Sequence, residues 1–170
     1  MKTLVAGIGN IFLGDDGFGV EVARRLASVS FPGEVKVRDF GIRGIHLAYE
    51  MADGGYDSAI LVDATARGGT PGTLYLIEPE PESIAAPAQT DAHSMNPQAV
   101  LGAVKTLGGK PGRVLIVGCE PYSVEEGIGL TPPVARAVGE AVELVREWIA
   151  KGERDVSGHS WTDREPDRRH

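Results

Sequence analysis

The run Thr3-Leu4-Val5-Ala6, broken by Gly7-Ile8-Gly9-Asn10 and followed by Gly14-Asp15-Asp16-Gly17, decides the fold class of this chain. Its first four residues are a short apolar stretch that suits a buried strand, and the glycines stop it. From about Gly17 onward, Val22, Ala23, Leu26 and Ala27 recur at helical spacing. Strand, glycine turn and helix open many α/β domains, which place their ligands outside the carboxyl ends of the strands. A Rossmann fingerprint needs glycine where Phe12 stands, and the Lys-Ser/Thr pair of a P-loop is absent. Two adjacent carboxylates sit where a phosphate would approach the helix N-terminus, and they would repel it. Nucleotide binding is disfavoured. One aspartate can serve as the N-cap while the other points into the crevice.

The same alternation continues downstream. Val35-Lys36-Val37-Arg38 reads as a strand with one solvated face, followed by Gly41-Ile42-Arg43-Gly44 and a short helix through Leu47, Ala48 and Met51. Ser58-Ala59-Ile60-Leu61-Val62 is a buried parallel strand by its apolar run, and Asp63 follows at its carboxyl end. Thr73 to Ile77 is a further strand, placed at an edge. Residues 78–91 form a long proline-rich connection of the kind that is usually functional, and it leads to His93. Asn96-Pro97 reads as N-cap and first position of a helix that buries Val100, Leu101, Val104 and Leu107. Val114 to Val117 is another buried strand. Thr131-Pro132 opens a last helix with a clean apolar stripe, ended by Gly152. The expected fold is a three-layer, single-domain α/β structure over 1–152, with a mostly parallel twisted sheet flanked by helices. Residues 153–170 are almost all polar and read as a disordered tail.

Composition narrows the function classes. A chain of 170 residues can build one substantial core. A net charge of −7 without long like-charge blocks argues against nucleic acid. A single cysteine fits a reducing compartment. Neither a signal peptide nor a run of about 20 apolar residues is seen, so a cytoplasmic location and no membrane contact are expected.

On a parallel sheet, Asp16, Asp63 and His93 all follow sheet-side elements and converge at one edge. Two carboxylates and an imidazole with open positions suit zinc, nickel or a similar divalent ion. A carboxylate dyad with a histidine as general acid or base is the alternative division of labour. Each residue also has a plainer role: Asp63 can cap the following loop, and His93 can be a solvated loop residue or a capping contact. His46, inside a helical pattern, reads as surface or core filler, and Cys119 as a buried inert thiol rather than a nucleophile.

Four segments in order are similar to the nickel-iron hydrogenase maturation proteases. They are Gly7 to Asn10 with Gly14 to Val20, Leu61-Val62-Asp63-Ala64, Asp91-Ala92-His93-Ser94-Met95, and Gly118-Cys119-Glu120-Pro121 through Gly127 to Thr131. The resemblance covers about residues 2 to 150. It implies an endopeptidase that removes a C-terminal extension from the hydrogenase large-subunit precursor after nickel insertion. It also implies that Asp16, Asp63 and His93 contact nickel supplied by that substrate rather than permanently held. Where the family often has Gly-Thr-x-Gly, this chain has Gly41-Ile42-Arg43-Gly44, a candidate substrate-binding segment that lacks the hydroxyl and adds the Arg43 cation beside an acidic cleft. That departure suggests a subgroup with a different hydrogenase partner. The alternative to proteolysis is a non-hydrolytic nickel or precursor-binding chaperone using the same residues.

Overall fold

The computed structural model describes residues 1–80 and 96–155, without the side chains of 153–155. The elements are β1 (Lys2–Ile8), a 3-10 turn (Gly14–Gly17), α1 (Phe18–Leu26), β2 (Glu34–Gly41), α2 (Gly44–Asp53), β3 (Ser58–Ala64), β4 (Leu74–Ile77), α3 (Pro97–Thr106), β5 (Arg113–Cys119) and α4 (Pro132–Asp155). The strands form one sheet in the order β2-β1-β3-β5-β4. All neighbours are parallel except β4, which runs antiparallel along β5 at the edge.

The apolar runs of β1, β3 and β5 are continuous because both sheet faces are covered. Val5, Ile60, Val62, Leu115 and Val117 pack with Phe18, Val22 and Leu26 of α1 and the stripe Val134 to Ile149 of α4. The alternate residues Leu4, Ala6, Ala59, Leu61 and Ile116 pack with Leu47, Ala48 and Met51 of α2 and Val100, Leu101 and Val104 of α3. Helices on both faces make three layers, as the alternating pattern predicts. β2, paired on one side only, shows the expected alternation of exposed and half-buried residues.

Two local expectations are corrected here. Leu107 is 40% exposed, because α3 ends at Thr106 and its C-cap residue leaves the buried stripe. Gly152 lies inside α4, which runs on to Asp155. A Cβ there would stand 3.0 Å from the flexible tip of the Met1 side chain and meet nothing else within 4 Å. The 78–91 connection falls largely, and the 153–170 tail mostly, outside the described residues. Among the described residues no helix is long and apolar enough to cross a membrane.

The chain leaves β1 for β2 on one side, and from β3 it proceeds to β4 and β5 on the other. Connections that diverge in this way leave a crevice beyond the carboxyl ends of β1 and β3, the usual ligand position in an open α/β sheet.

Candidate active site

That crevice holds a pocket of about 360 Å³ lined by Gly9, Asn10, Leu13, Asp16, Ile42, Asp63, Ala64 and Asn96. Asp63 is the penultimate residue of β3, in register with Gly118 of β5. Asp16 comes from the 3-10 turn that follows β1. The expected convergence of these two carboxylates is therefore present. Asp16 is oriented by the backbone N–H of Asn10, which donates to its Oδ2 at 2.8 Å. Gly9 permits the close approach: its φ is +143°, and a Cβ there would stand 1.9 Å from the Asp16 carbonyl oxygen and 3.8 Å from Asp63 Oδ1.

Burial, reinforced by the neighbouring Asp16 charge, pushes the Asp63 carboxyl well above the ordinary carboxylate range, against a lowering contribution from the Ala64 N–H. Asp63 is only 6% exposed. A buried carboxylate beside a second one prefers a proton or a cation to ionisation alone. Such a pair is chemically suited to take a divalent ion or to hold a proton for transfer.

His93 lies outside the described residues. The chain resumes at Asn96, which lines the pocket and also caps α3 by accepting from the Ala99 N–H at 2.8 Å. Among the described residues no three potential ligands form a metal cluster.

The Gly41 to Gly44 segment divides. Gly41 accepts from the Gly9 N–H at 3.0 Å, which ties the end of β2 to the end of β1 and brings Ile42 to the pocket. The Arg43 guanidinium donates to the carbonyls of Phe40 and Asp39 at 3.2 and 2.9 Å. Arg43 thus lines a neighbouring hollow of about 390 Å³ between β2 and α2, together with His46 and Tyr49. Gly44 is buried at the start of α2. His46 is exposed on that helix, in keeping with the surface reading.

Sequence reading missed the role of Asp15. Neither acid caps α1, whose N-cap is Gly17 with no side-chain hydrogen bond. Asp15 is fully buried instead. Its carboxylate accepts from the backbone N–H groups of Tyr122, Ser123 and Thr131 at 2.8, 3.0 and 2.7 Å, and from the Thr131 hydroxyl at 2.7 Å. Burial opposes its ionisation, but the hydrogen bonds from Thr131, Ser123 and Tyr122 together outweigh it and hold the carboxyl below its usual range. The only sequence signal was the adjacency of two acids with room for two jobs.

Cys119 is buried at the end of β5, and its thiol is pushed up to about 12 by burial, with the Asp15 and Glu120 charges adding to the effect. A thiol of that kind supplies no thiolate at neutral pH. Iodoacetamide should leave the native protein unlabelled and alkylate Cys119 once the chain is unfolded in urea. Rapid labelling of the folded protein would contradict the inert reading.

A family profile described as HycI, hydrogenase maturation protease, matches residues 20–148. The chain is 33% identical over 147 residues to the hydrogenase 2 maturation protease of Escherichia coli, covering 85% of this chain and 88% of that protein. It is 32% identical over 161 residues to the hydrogenase expression/formation protein HupD of Rhodobacter capsulatus, covering 89% and 76% respectively. The fold is similar to that of the hydrogenase maturating endopeptidase HybD from E. coli, with a TM-score of 0.74 at 31% identity over 89% of this chain and 94% of that one. A family profile spanning most of the sequence, relatives aligned over most of both chains and a shared five-stranded architecture agree: this chain belongs to the HycI family of hydrogenase maturation proteases and is an endopeptidase of that class.

Proposed function

We propose that this endopeptidase removes a C-terminal extension from the nickel-loaded precursor of a nickel-iron hydrogenase large subunit, reading the bound nickel through Asp16, Asp63 and His93. The observation that carries the reading is the buried Asp63 carboxyl held beside Asp16 in a pocket at the switch point of the sheet. His93 precedes Asn96 by three residues, a stretch that spans at most about 11 Å. Asn96 itself lines the pocket.

Nickel here belongs to the client, not to the protease. Two carboxylates and one imidazole leave coordination positions open for ligands that the precursor already provides. A precursor lacking nickel offers nothing to offset the charge of Asp16 and Asp63, so it binds poorly and stays uncut. With nickel in place the metal can polarise the scissile region or a water beside it. Of the Gly41 to Gly44 segment, Ile42 lines the pocket and offers substrate an apolar side chain that is 61% exposed.

Mass spectrometry of the precursor after incubation tests this. The nickel-loaded form should lose its C-terminal extension, the nickel-free form should not, and His93→Ala should abolish cleavage. Equal cleavage of both forms would sink nickel recognition. A stable complex without shortening would favour the chaperone reading.

A further inference from the structure

Two neighbouring loops at the pocket margin expose five large apolar side chains. Phe12 is 59% exposed, Leu13 37%, Tyr122 70%, Val124 50% and Ile128 79%. Single exposed apolar residues are ordinary, but a concentration of them on neighbouring segments marks an interaction site. These segments are neighbours: Leu13 forms a backbone bridge with Gly127, the Gly127 N–H donates to the Phe12 carbonyl at 2.8 Å, and the Gly14 N–H donates to the Gly127 carbonyl at 2.9 Å. The Asp15 N–H donates to the Ser123 carbonyl at 3.0 Å, beneath the buried Asp15 carboxylate and its four donors. These backbone bonds hold the two loops together while the apolar side chains remain exposed.

We infer that the paired loops 10–13 and 121–131 are the face on which the folded body of the precursor docks, and that Asp15 is the positioning residue that holds this face beside the pocket. The inference rests on the proposed function for the identity of the client. Its support is continuity, because Leu13 lines the same pocket as Asp16 and Asp63. Charge defines the partner further: Glu125 and Glu126 stand exposed among the apolar residues, so the matching surface is apolar with basic groups at its margin. Asp15 and Asp16 are consecutive, and this links the docking face to the metal-reading carboxylate through one peptide unit.

This face reads protein rather than metal, which separates its test from that of nickel recognition. The affinity of the full chain for nickel-free and nickel-loaded precursor is measured by titration, alongside KM and kcat for the loaded form. Tyr122→Ser with Ile128→Ser changes only exposed side chains and should keep the melting temperature. It should weaken binding of both precursor forms by the same factor, about tenfold or more, raising KM while leaving kcat within about twofold. Asp15→Asn cannot accept from all four donors; it should raise KM likewise, and combining it with the surface pair should add little further loss. Unchanged affinity in the surface variant would overturn the docking face. A lowered melting temperature with unchanged KM in Asp15→Asn, or fully additive losses, would reduce Asp15 to a structural residue. If nickel-free precursor were cleaved while the surface variant still bound weakly, nickel recognition would fail and the docking face would stand.

Discussion

Asp63→Asn should abolish processing of the precursor and at the same time raise the melting temperature. Both halves follow from one feature, a carboxyl that is 6% exposed and faces the charge of Asp16. In the unfolded chain this group ionises freely near its ordinary value. In the fold its pKa is raised, so the native state carries a cost that begins as pH climbs past the ordinary carboxylate value and is complete above the raised one. Asparagine has nearly the same shape, keeps the oxygen that meets the Ala64 N–H, and carries no charge. The stabilisation should therefore be largest at neutral pH and shrink in acid, where wild-type Asp63 takes up its proton. Each kilocalorie relieved appears as about 2–4 °C in a domain of this size. Loss of the carboxylate should cost activity at least about a hundredfold, since removing even an outer-shell partner of a metal ligand typically costs 10–100-fold. Asp16→Asn should be equally inactive with an intact fold. Thermal melts between acid and neutral pH, run beside a cleavage assay, check the prediction. Normal cleavage by either variant removes that residue from the mechanism, and a lower melting temperature for Asp63→Asn would mean that its charge stabilises the fold.

The contrast between Asp16 and Asp15 shows where sequence reading works and where it stops. Asp16 and Asp63 could be brought together on paper because strand-helix alternation fixes a parallel sheet, and a parallel sheet sends the residues after each strand to one edge. The Asn96-Pro97 helix start was legible for a similar reason, since capping is local chemistry between residues three apart. Asp15 looked like a cap by the same local logic. Its partners are 107 to 116 positions away, and no local rule anticipates them. Gly152 read as a stop by local propensity, but α4 continues through it to Asp155. The strand expected at an edge over 73–77 is the edge strand β4, while its antiparallel direction was not anticipated.

Glycine at position 19 is the other place where a single atom should have a large effect, and here no chemistry is involved. Gly19→Ala should leave little stably folded protein. A Cβ on this residue would stand 2.1 Å from the Val62 carbonyl oxygen and 2.4 Å from that of Ile8. Both obstacles are backbone atoms of buried central strands, so no side chain can swing away. The approach is mutual, because a Cβ at Gly7 would stand 2.3 Å from the Gly19 carbonyl oxygen. Two glycines thus let α1 lie directly on β1 and β3, with Phe18, Val22 and Leu26 in the core. Overpacking a core usually costs about 1–3 kcal/mol, and a clash with two fixed backbone carbonyls should exceed that range. Against a total stability of about 5–15 kcal/mol for a typical domain, a loss above roughly 3 kcal/mol is severe. Because α1 follows the turn that carries Asp16, a retreating helix would also move a pocket carboxylate, and residual folded protein should process poorly. Gly139→Ala is the control: this glycine lies in α4, and a Cβ there would meet nothing within 4 Å. At that position alanine should stabilise by about 0.5–1 kcal/mol through helix propensity alone. Urea titrations of the two variants should therefore shift in opposite directions, and a Gly19→Ala midpoint close to wild type would show that α1 can leave the sheet at little cost.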